Sequence, residues 1–592
     1  MATKKPVVWA GIAVIGVAAV LFSSQGAPSD EGVTGATGAA ERNQSVTTSP
    51  PRKSTLDSAD EDRIKFGEFE LRDAPSTVQA QFAPKTYPMP VLSHRLSLKN
   101  SQGDWAALID ETWGNGQRRK AKLWTFDRFW STIDRSFACF QDIEVDWDAL
   151  RAQYRPEIEE GVSRGRFAAI MNRLSLALME AHTKAIDKRV AWRTPSAPGV
   201  PLLHVGGWGI DSHFGAGLTP LPDKSLLVYT TVPAHPLGLE PGDIVLGYEG
   251  RPWSELWPEL LSLGLPVTGS WGSSPLTYEH AWLMAAGLNW HLFDTIDVKK
   301  FGTGEALHLP TSPMTGLNEK LWVTEQLEID GVSYPDFKNG QLFSWGIIEG
   351  TRIGYIYGWG WYWDAEQEFN DAVRQLMYEY DTEGLIIDFR FNMGGDLTLS
   401  DPGLGLLFDQ SVQTIDFAER CNDADPLRLC AIGDATSLMI PGSPSSLYDK
   451  PIAVLTGPGA VGAGDQVALR LTFHPDARFF GMSTNTAFNL PAPVKLRKQW
   501  DAHIALADAF LVSASGEEDR SFDSDYQLGI HNTWGGEHHG RIPSRDTTIE
   551  GEVLTHDPFP VDYPVWLTPE DVAAGRDTVV EAAMQWIVTS NE

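Results

Sequence analysis

Hydrophobic positions recur along this chain with two different rhythms, and the change of rhythm marks its organisation. Within residues 126–187, Phe126, Phe129, Trp130, Ile133 and Phe137 recur at helical spacing, as do Phe167, Ile170, Met171, Leu174 and Leu178. That period puts apolar side chains on one helix face, so a helical subdomain is predicted over 126–187. Beyond residue 340 the pattern becomes short continuous apolar runs alternating with amphipathic ones. Runs at 353–357, 385–389, 452–456 and 478–481 read as strands, those at 385–389 and 452–456 of buried type, and 366–380 and 465–473 as the helices between them. A final helix over 568–588 opens with Thr568-Pro569-Glu570-Asp571, a cap, a first-turn proline and acids at the positive end of a helix. Residues 340–590 therefore predict one α/β domain with parallel strands.

Between these regions the signal is weaker. Residues 203–300 read as a small β domain, in which Gly238, Gly242 and Gly250 fall at turns, Pro241 starts a turn and 244–246 form a strand. A strand is also expected at 320–327. Residues 66–125 mix short apolar runs with turn residues and predict a small β-containing region. At the other end of the chain, Lys4 and Lys5 precede an uncharged apolar run over 7–22, with no charge until Asp30. Residues 1–25 thus read as an export signal or an uncleaved anchor, the run being short for a full membrane span. Residues 26–65, without an aromatic and rich in Gly, Ser, Thr and Pro, read as a flexible tether.

Composition narrows the function classes. The 592 residues hold 47 Lys+Arg against 78 Asp+Glu, a formal charge of −31. No long basic run interrupts the acidity, which disfavours a nucleic-acid partner, and any membrane contact is assigned to the N-terminal segment alone. With only three cysteines a disulfide framework is excluded, but Cys421 and Cys430 bracket a polar stretch, CNDADPLRLC, and would close one small loop if exported. No Cys/His ligand spacing indicates zinc, and Glu537-His538-His539 sits in a Gly-rich loop better read as solvated than as a metal site. No cofactor or metal is expected. The 22 tryptophans include Trp359, Trp361 and Trp363 in one short run, which on a strand would share a face.

Two segments of the α/β domain carry candidate chemistry. GLIIDFRFNMGGD places Gly394 and Gly395 just past a buried strand, where unshielded backbone N–H groups suit a developing oxyanion; turn glycines with positive φ are the plainer alternative. IAVLTGPGAVGAGDQVALRL turns sharply from a strand into a helix N-terminus, the geometry that exposes a nucleophile to the positive end of a helix.

These two segments, together with VPAHPLGLEPGDIVLGYEGRPW, the tail PVDYPVWLTPEDVAAGRDTVVEAAMQWI and FWSTIDRSF…VDWDALRAQYRP…LMEAHTKAI, resemble the tail-specific, or C-terminal-processing, serine peptidases, including the tricorn-core type. The resemblance spans roughly 126–590. It implies a crotonase-like α/β core with an N-terminal helical region and an inserted PDZ-like β domain. It also implies peptide-bond hydrolysis through an acyl-enzyme, on a polypeptide substrate or peptide C-terminus. On the PDZ-like run, Leu239, Gly242 and Asp243 are the candidate peptide-binding positions.

The departures from the family pattern concern the reacting groups. The run Gly462-Ala463-Gly464-Asp465 stands where the family has Ser-x-x-Glu/Asp, so Gly462 takes the nucleophile's place, followed by Ala463, with Asp465 at the acid position. Glycine cannot attack a carbonyl, and no Ser, Thr or Cys lies between Pro458 and Leu471. The turn Ser483-Thr484-Asn485-Thr486-Ala487 lacks the lysine of Ser–Lys members, and Lys495 is out of pattern. His182 matches the tricorn-type base, with Ala181 in place of the preceding serine. Thr555 stands where a supporting glutamate is expected, with Glu552 and Asp557 nearby. A helix-end histidine held by backbone carbonyls is the plainer reading of His182.

The reading that results is an exported, envelope-located relative of these peptidases that acts on or binds polypeptides, with acyl-enzyme chemistry in doubt at Gly462. A hydrolase with another nucleophile or an activated water, an inactive peptide-binding scaffold, and a carbohydrate-binding envelope protein are the alternatives.

Overall fold

The computed structural model describes residues 102–511 and 548–591, apart from 142, 192–198, 207–208, 212–213, 318–320, 337–339, 363, 422–424, 433–437, 446, 550–553 and 560. The expected export segment and tether, the first part of 66–125, Glu537-His538-His539, Glu552 and Trp363 lie outside the described residues.

Four helices open the described chain, α1 (Gln102–Trp113), α2 (Arg119–Ser136), α3 (Trp147–Glu160) and α4 (Arg164–Leu176), the two stripes falling on α2 and α4. Asp146 and Ser163 cap α3 and α4, accepting from Ala149 N and Arg166 N. Phe126, Phe129, Ile133, Phe137, Phe167, Ile170, Met171, Leu174 and Leu178 are buried in one cluster, as their spacing predicts. Residues 102–113 and 119–125, within the region read as β-containing, are helical instead. Trp105, Leu108, Ile109, Thr112 and Trp113 line the buried face of α1, and packing of that face overrides the turn residues before it.

The helices do not form a separate unit. Just past α4, β1 (Lys184–Asp187) pairs antiparallel with a strand more than three hundred residues later, Lys184 opposite His503. The same hydrophobic cluster continues into Ala418, Trp500, Ala502, Ile504 and Phe510.

The β domain is an antiparallel sheet of β2 (Ala216–Pro220), β3 (Leu226–Thr231), β4 (Ile244–Tyr248), β5 (Thr295–Lys299) and β6 (Ala306–Pro310), ordered β6-β5-β4-β3-β2. Helices α5 (Trp253–Ser262) and α6 (Pro275–Met284) pack on its core, where Trp253, Trp271, Trp282 and Trp290 are fully buried.

The α/β region holds β7 (Phe343–Ile347), β8 (Ile353–Gly358), α7 (Ala365–Arg374), β9 (Gly384–Asp388), β10 (Val412–Arg420), β11 (Leu429–Ala431), β12 (Ile452–Thr456), α8 (Ala463–Leu471), β13 (Ala477–Gly481), β14 (Trp500–Leu511), β15 (Tyr563–Pro564), α9 (Pro569–Ala573) and α10 (Thr578–Ser590). One sheet runs β7-β8-β9-β12-β13-β15, parallel throughout except for the antiparallel edge strand β7. β8, β9 and β12 are buried at every position, as continuous apolar runs require when both faces are covered. The second sheet is antiparallel and contains β1-β14-β10-β11, so it draws strands from both ends of the described chain.

Three sequence-based expectations change here. The final helix is two, α9 and α10, broken at Gly575 (φ +71°) and capped separately by Thr568 and Asp577. The strand expected at 320–327 is short, Leu321–Val323. Trp359 and Trp361 do not share a face: the first packs with α10 residues such as Val579 and Ala583, the second with Phe369 of α7. Strand β8 ends at Gly358, so the two-residue alternation no longer applies beyond it. Cys421 and Cys430 are disulfide-bonded across the β10–β11 hairpin, and Cys139 is free and buried. Among the described residues, no helix is long and apolar enough to cross a membrane.

Candidate functional site

The site forms where three chain segments meet, and Ala181, Val461 and Ala487, one from each, make a small buried cluster of their own. The first segment is the exit of β12. Gly462 has φ +61° and ψ −117° and is the N-cap of α8. Glycine reaches that conformation freely, whereas other residues hold it at a cost. It is a sharp strand-to-helix turn of the kind that lifts a nucleophile above a sheet. Asp465, wholly buried, clamps it by accepting from Gly462 N at 2.6 Å, Thr486 N at 3.0 Å and Ala487 N at 3.1 Å. Burial lifts this carboxyl to about 7 despite those hydrogen bonds. The N–H of Ala463, first in the helix, has no intrahelical acceptor.

The glycine pair after β9 packs against that turn. A Cβ on Gly394 would come within 2.5 Å of Val461 O, one on Gly395 within 2.1 Å of Trp361 O, and one on Gly464 within 2.2 Å of Asn392 O. Only glycine permits these approaches. The Gly394 N–H already donates to Asn392 Oδ1 at 3.1 Å, so Gly394 shapes the turn and does not supply a spare donor. Arg390, also buried, is held by Asp388 at 2.6 Å and Asp577 at 2.8 Å, which ties the exit of β9 to the N-cap of α10.

The second segment carries His182, which the entry into β1 delivers. Its neighbours are fixed by the loop before α6: Ala181 N donates to Ser273 Oγ at 2.9 Å, and Trp271 Nε1 to Glu180 O at 2.8 Å. The ring is buried, with Nδ1 2.8 Å from Asn489 Oδ1. Its Nε2 has no hydrogen-bond partner. Burial pulls the imidazole below its ordinary value, against the opposing field of Glu180. The plain reading of a histidine satisfied by carbonyls therefore does not hold: one nitrogen meets an amide and the other meets nothing.

The third segment, 483–489, threads between them. Thr486 sits at φ +65°, which is strained for a β-branched residue, and its buried hydroxyl has no partner. Asn489 donates from Nδ2 to Glu180 Oε1 at 2.9 Å and to Thr555 Oγ1 at 3.3 Å. Thr555 in turn donates to Asp508 Oδ1 at 2.6 Å. Asp508, on β14, is wholly buried and lifted to about 6 by that burial. Glu180, Asn489 and Asp508 were missed by sequence reasoning. Glu180 stands two residues before His182 and was visible as a local acid, whereas Asn489 and Asp508 had no signal at all. Lys495 is exposed.

The proposed peptide-binding positions lie elsewhere and face inward. Leu239 belongs to the β-domain core. Asp243 is buried and accepts from Glu240 N, Phe301 N and Lys300 Nζ. Gly242 (φ +97°) abuts α9, where an added Cβ would meet that of Ala573 at 2.8 Å. All three hold the loop's shape and its seat on the core. Among the described residues no group of His, Cys, Asp and Glu could hold a metal ion.

Comparison with known proteins places this geometry. Residues 352–527 match the model of peptidase family S41, and residues 121–175 that of the tricorn protease C1 domain. No curated protein matches the chain. Among solved structures, mature CPAF superposes with a TM-score of 0.52 at 11% identity, covering 80% of this chain and 96% of that one. Mature CPAF complexed with lactacystin gives 0.51 at 11% identity, over 80% and 98%. The photosystem II D1 C-terminal processing protease is a more distant match, at 0.35 and 14% identity over 76% and 94%. At these identities the likeness to CPAF is one of fold.

Proposed function

From the premise that this chain carries a peptidase family S41 core of the tail-specific type, we propose that it engages polypeptides at the junction of Gly462, His182 and the 483–489 segment. The substrate is an extended stretch of polypeptide whose carbonyl is received by the Ala463 N–H at the N-terminus of α8. His182, neutral and with an unpartnered Nε2, is the base of the site. Acyl-enzyme formation through residue 462 does not occur, since that residue has no side chain. The observation that carries this reading is the retained turn: Gly462 keeps a nucleophile-type backbone, clamped by Asp465, with nothing on its Cα.

The carbohydrate alternative is not favoured, because Trp253, Trp271, Trp282, Trp290, Trp359 and Trp361 are all fully buried, although Trp124 is exposed. We also propose export to the cell envelope. Lys4-Lys5 with the apolar run after them supports it, as does the Cys421–Cys430 bond, which an oxidising compartment favours. A PDZ-like role for the β domain stays part of this proposal, resting on the resemblance of the run VPAHPLGLEPGDIVLGYEGRPW alone; Leu239, Gly242 and Asp243 shape that loop and do not themselves face a peptide.

A fluorophosphonate probe with site mapping, run beside binding of an unfolded polypeptide such as casein, tests the reading. The wild-type protein is expected to bind polypeptide without labelling, and Gly462→Ser to label at residue 462. Absence of polypeptide binding overturns the proposal. Labelling of the wild type at another hydroxyl, Thr484 and Thr486 being buried ones beside the turn, would replace it with a working hydrolase of different nucleophile.

A further inference from the structure

We propose that Asn489 is the positioning residue of this site, locking His182 as the Nδ1–H tautomer so that Nε2 is left as a hydrogen-bond acceptor for whatever the site receives. The argument is one of donor and acceptor polarity. An Asn side chain has an oxygen that only accepts and a nitrogen that only donates. Asn489 Nδ2 lies 2.9 Å from a carboxylate oxygen of Glu180, which requires the nitrogen to face that way. Its second proton meets Thr555 Oγ1, whose own hydroxyl hydrogen is spent on Asp508 at 2.6 Å. Asp508 Oδ1 also receives the N–H groups of Ala509 at 2.8 Å and Thr555 at 3.3 Å, so it stays an acceptor and the Thr555 hydroxyl cannot reverse. The amide nitrogen is thereby held by the Glu180 carboxylate and the Thr555 hydroxyl, which Asp508 orients, and its Oδ1 turns to His182 Nδ1 at 2.8 Å. That nitrogen must carry the proton, and in a neutral ring Nε2 then holds the lone pair.

The consequence is an amide-oriented base. Thr555 occupies the place where a glutamate was expected, and the two acids, Glu180 and Asp508, act on His182 through Asn489. Glu180 Oε1 lies 3.7 Å from His182 Nδ1 and also accepts the His182 backbone N–H at 2.8 Å, so the same carboxylate fixes backbone and amide together. The inference rests on His182 as the base of the site and not on the chemistry of residue 462.

The test is long-range 1H–15N NMR on the full chain with selectively 15N-labelled histidine, the His182 signals being assigned by their loss in His182→Gln. A protonated Nδ1 with an unprotonated Nε2 is expected in the wild type. Asn489→Asp, which keeps an acceptor towards Nδ1 while setting an oxygen in place of the Nδ2 donor against Glu180, should retain the Nδ1 proton. Asn489→Leu, which removes it, should shift His182 to the other tautomer or a mixture. A wild-type Nε2–H tautomer, or a loss of the Nδ1–H pattern in folded Asn489→Asp, overturns the proposal, and so does an unchanged pattern in Asn489→Leu. If Asn489→Leu fails to fold, the wild-type and Asn489→Asp spectra still decide. Loss of polypeptide binding would overturn the proposed function while leaving these spectra unaltered.

Discussion

The two halves of the site have been kept by different means. The turn at Gly462 is a backbone object, built from its φ and ψ, the Asp465 clamp and the close approach of Gly394 and Gly464, with no reactive side chain. The half around His182 is made of side chains: an imidazole, an amide, a hydroxyl and two carboxylates linked by hydrogen bonds across three segments. The comparison teaches that backbone geometry can hold one side of a site while a network of side chains holds the other. Glycine relieves the turn of strain, while the buried polar network persists because removing any member would leave others unpaired.

The sharpest way to break this contrast is to place a hydroxyl on the turn. Gly462→Ser should raise fluorophosphonate labelling from background by orders of magnitude, since a covalent nucleophile is worth that much in rate. The substitution should also cost about 1–3 kcal/mol of stability, because serine is strained at this φ and ψ. Thermal unfolding measures that part.

Next in size is the pH dependence of the clamp. Asp465 is lifted from 3.8 to about 7 in the folded chain. A raised carboxyl contributes stability that is fully present below pH 3.8 and is lost as pH rises through about 7. The decline is on the order of 4 kcal/mol if the whole shift is realised. Urea midpoints between pH 4 and 8 should fall in the wild type and flatten in Asp465→Asn. An unchanged slope would show that another group sets it. Asp508, lifted to about 6, adds a smaller decline of the same sign.

Gly394→Ala tests whether the turn depends on that close approach. A Cβ 2.5 Å from Val461 O must displace backbone, and Gly394 has φ +79°, so a loss of roughly 2 kcal/mol is expected in chemical denaturation. Smallest is Thr555→Val on the histidine side. It removes the hydroxyl between Asn489 and Asp508 with little change in shape and should cost about 1–2 kcal/mol. If that loss exceeded the loss in Gly394→Ala, the side-chain half would be the more tightly held of the two.

Much of the architecture was legible. The stripes of α2 and α4, the buried runs of β8, β9 and β12, and the Thr568 cap all appear where periodicity and capping chemistry put them, because these are short-range properties. Failures occurred where packing overrode local signals. Residues 102–113 are helical because α1 buries Trp105 and Trp113, and Trp359 and Trp361 separate because the strand ends between its predicted extent and theirs. Within the site, motif order named Gly462 and His182, whose neighbours Val461 and Ala181 the structure packs together, while the local contacts of Gly394 and Asp243 were not legible. Whether an N–H is spare or already spent depends on a neighbour such as Asn392 Oδ1 or the Asp243 carboxylate.

By itself the sequence determined the helical and α/β regions and named His182 and Gly462 as candidate positions, all written in local order and residue type. Only the tertiary structure decided that Asn489, Thr555 and Asp508 stand behind His182. They lie 307, 66 and 47 positions apart along the links of that chain of hydrogen bonds. Such pairings arise when β1 joins β14 and buried polar groups find partners there, a condition of three-dimensional packing that no local pattern encodes.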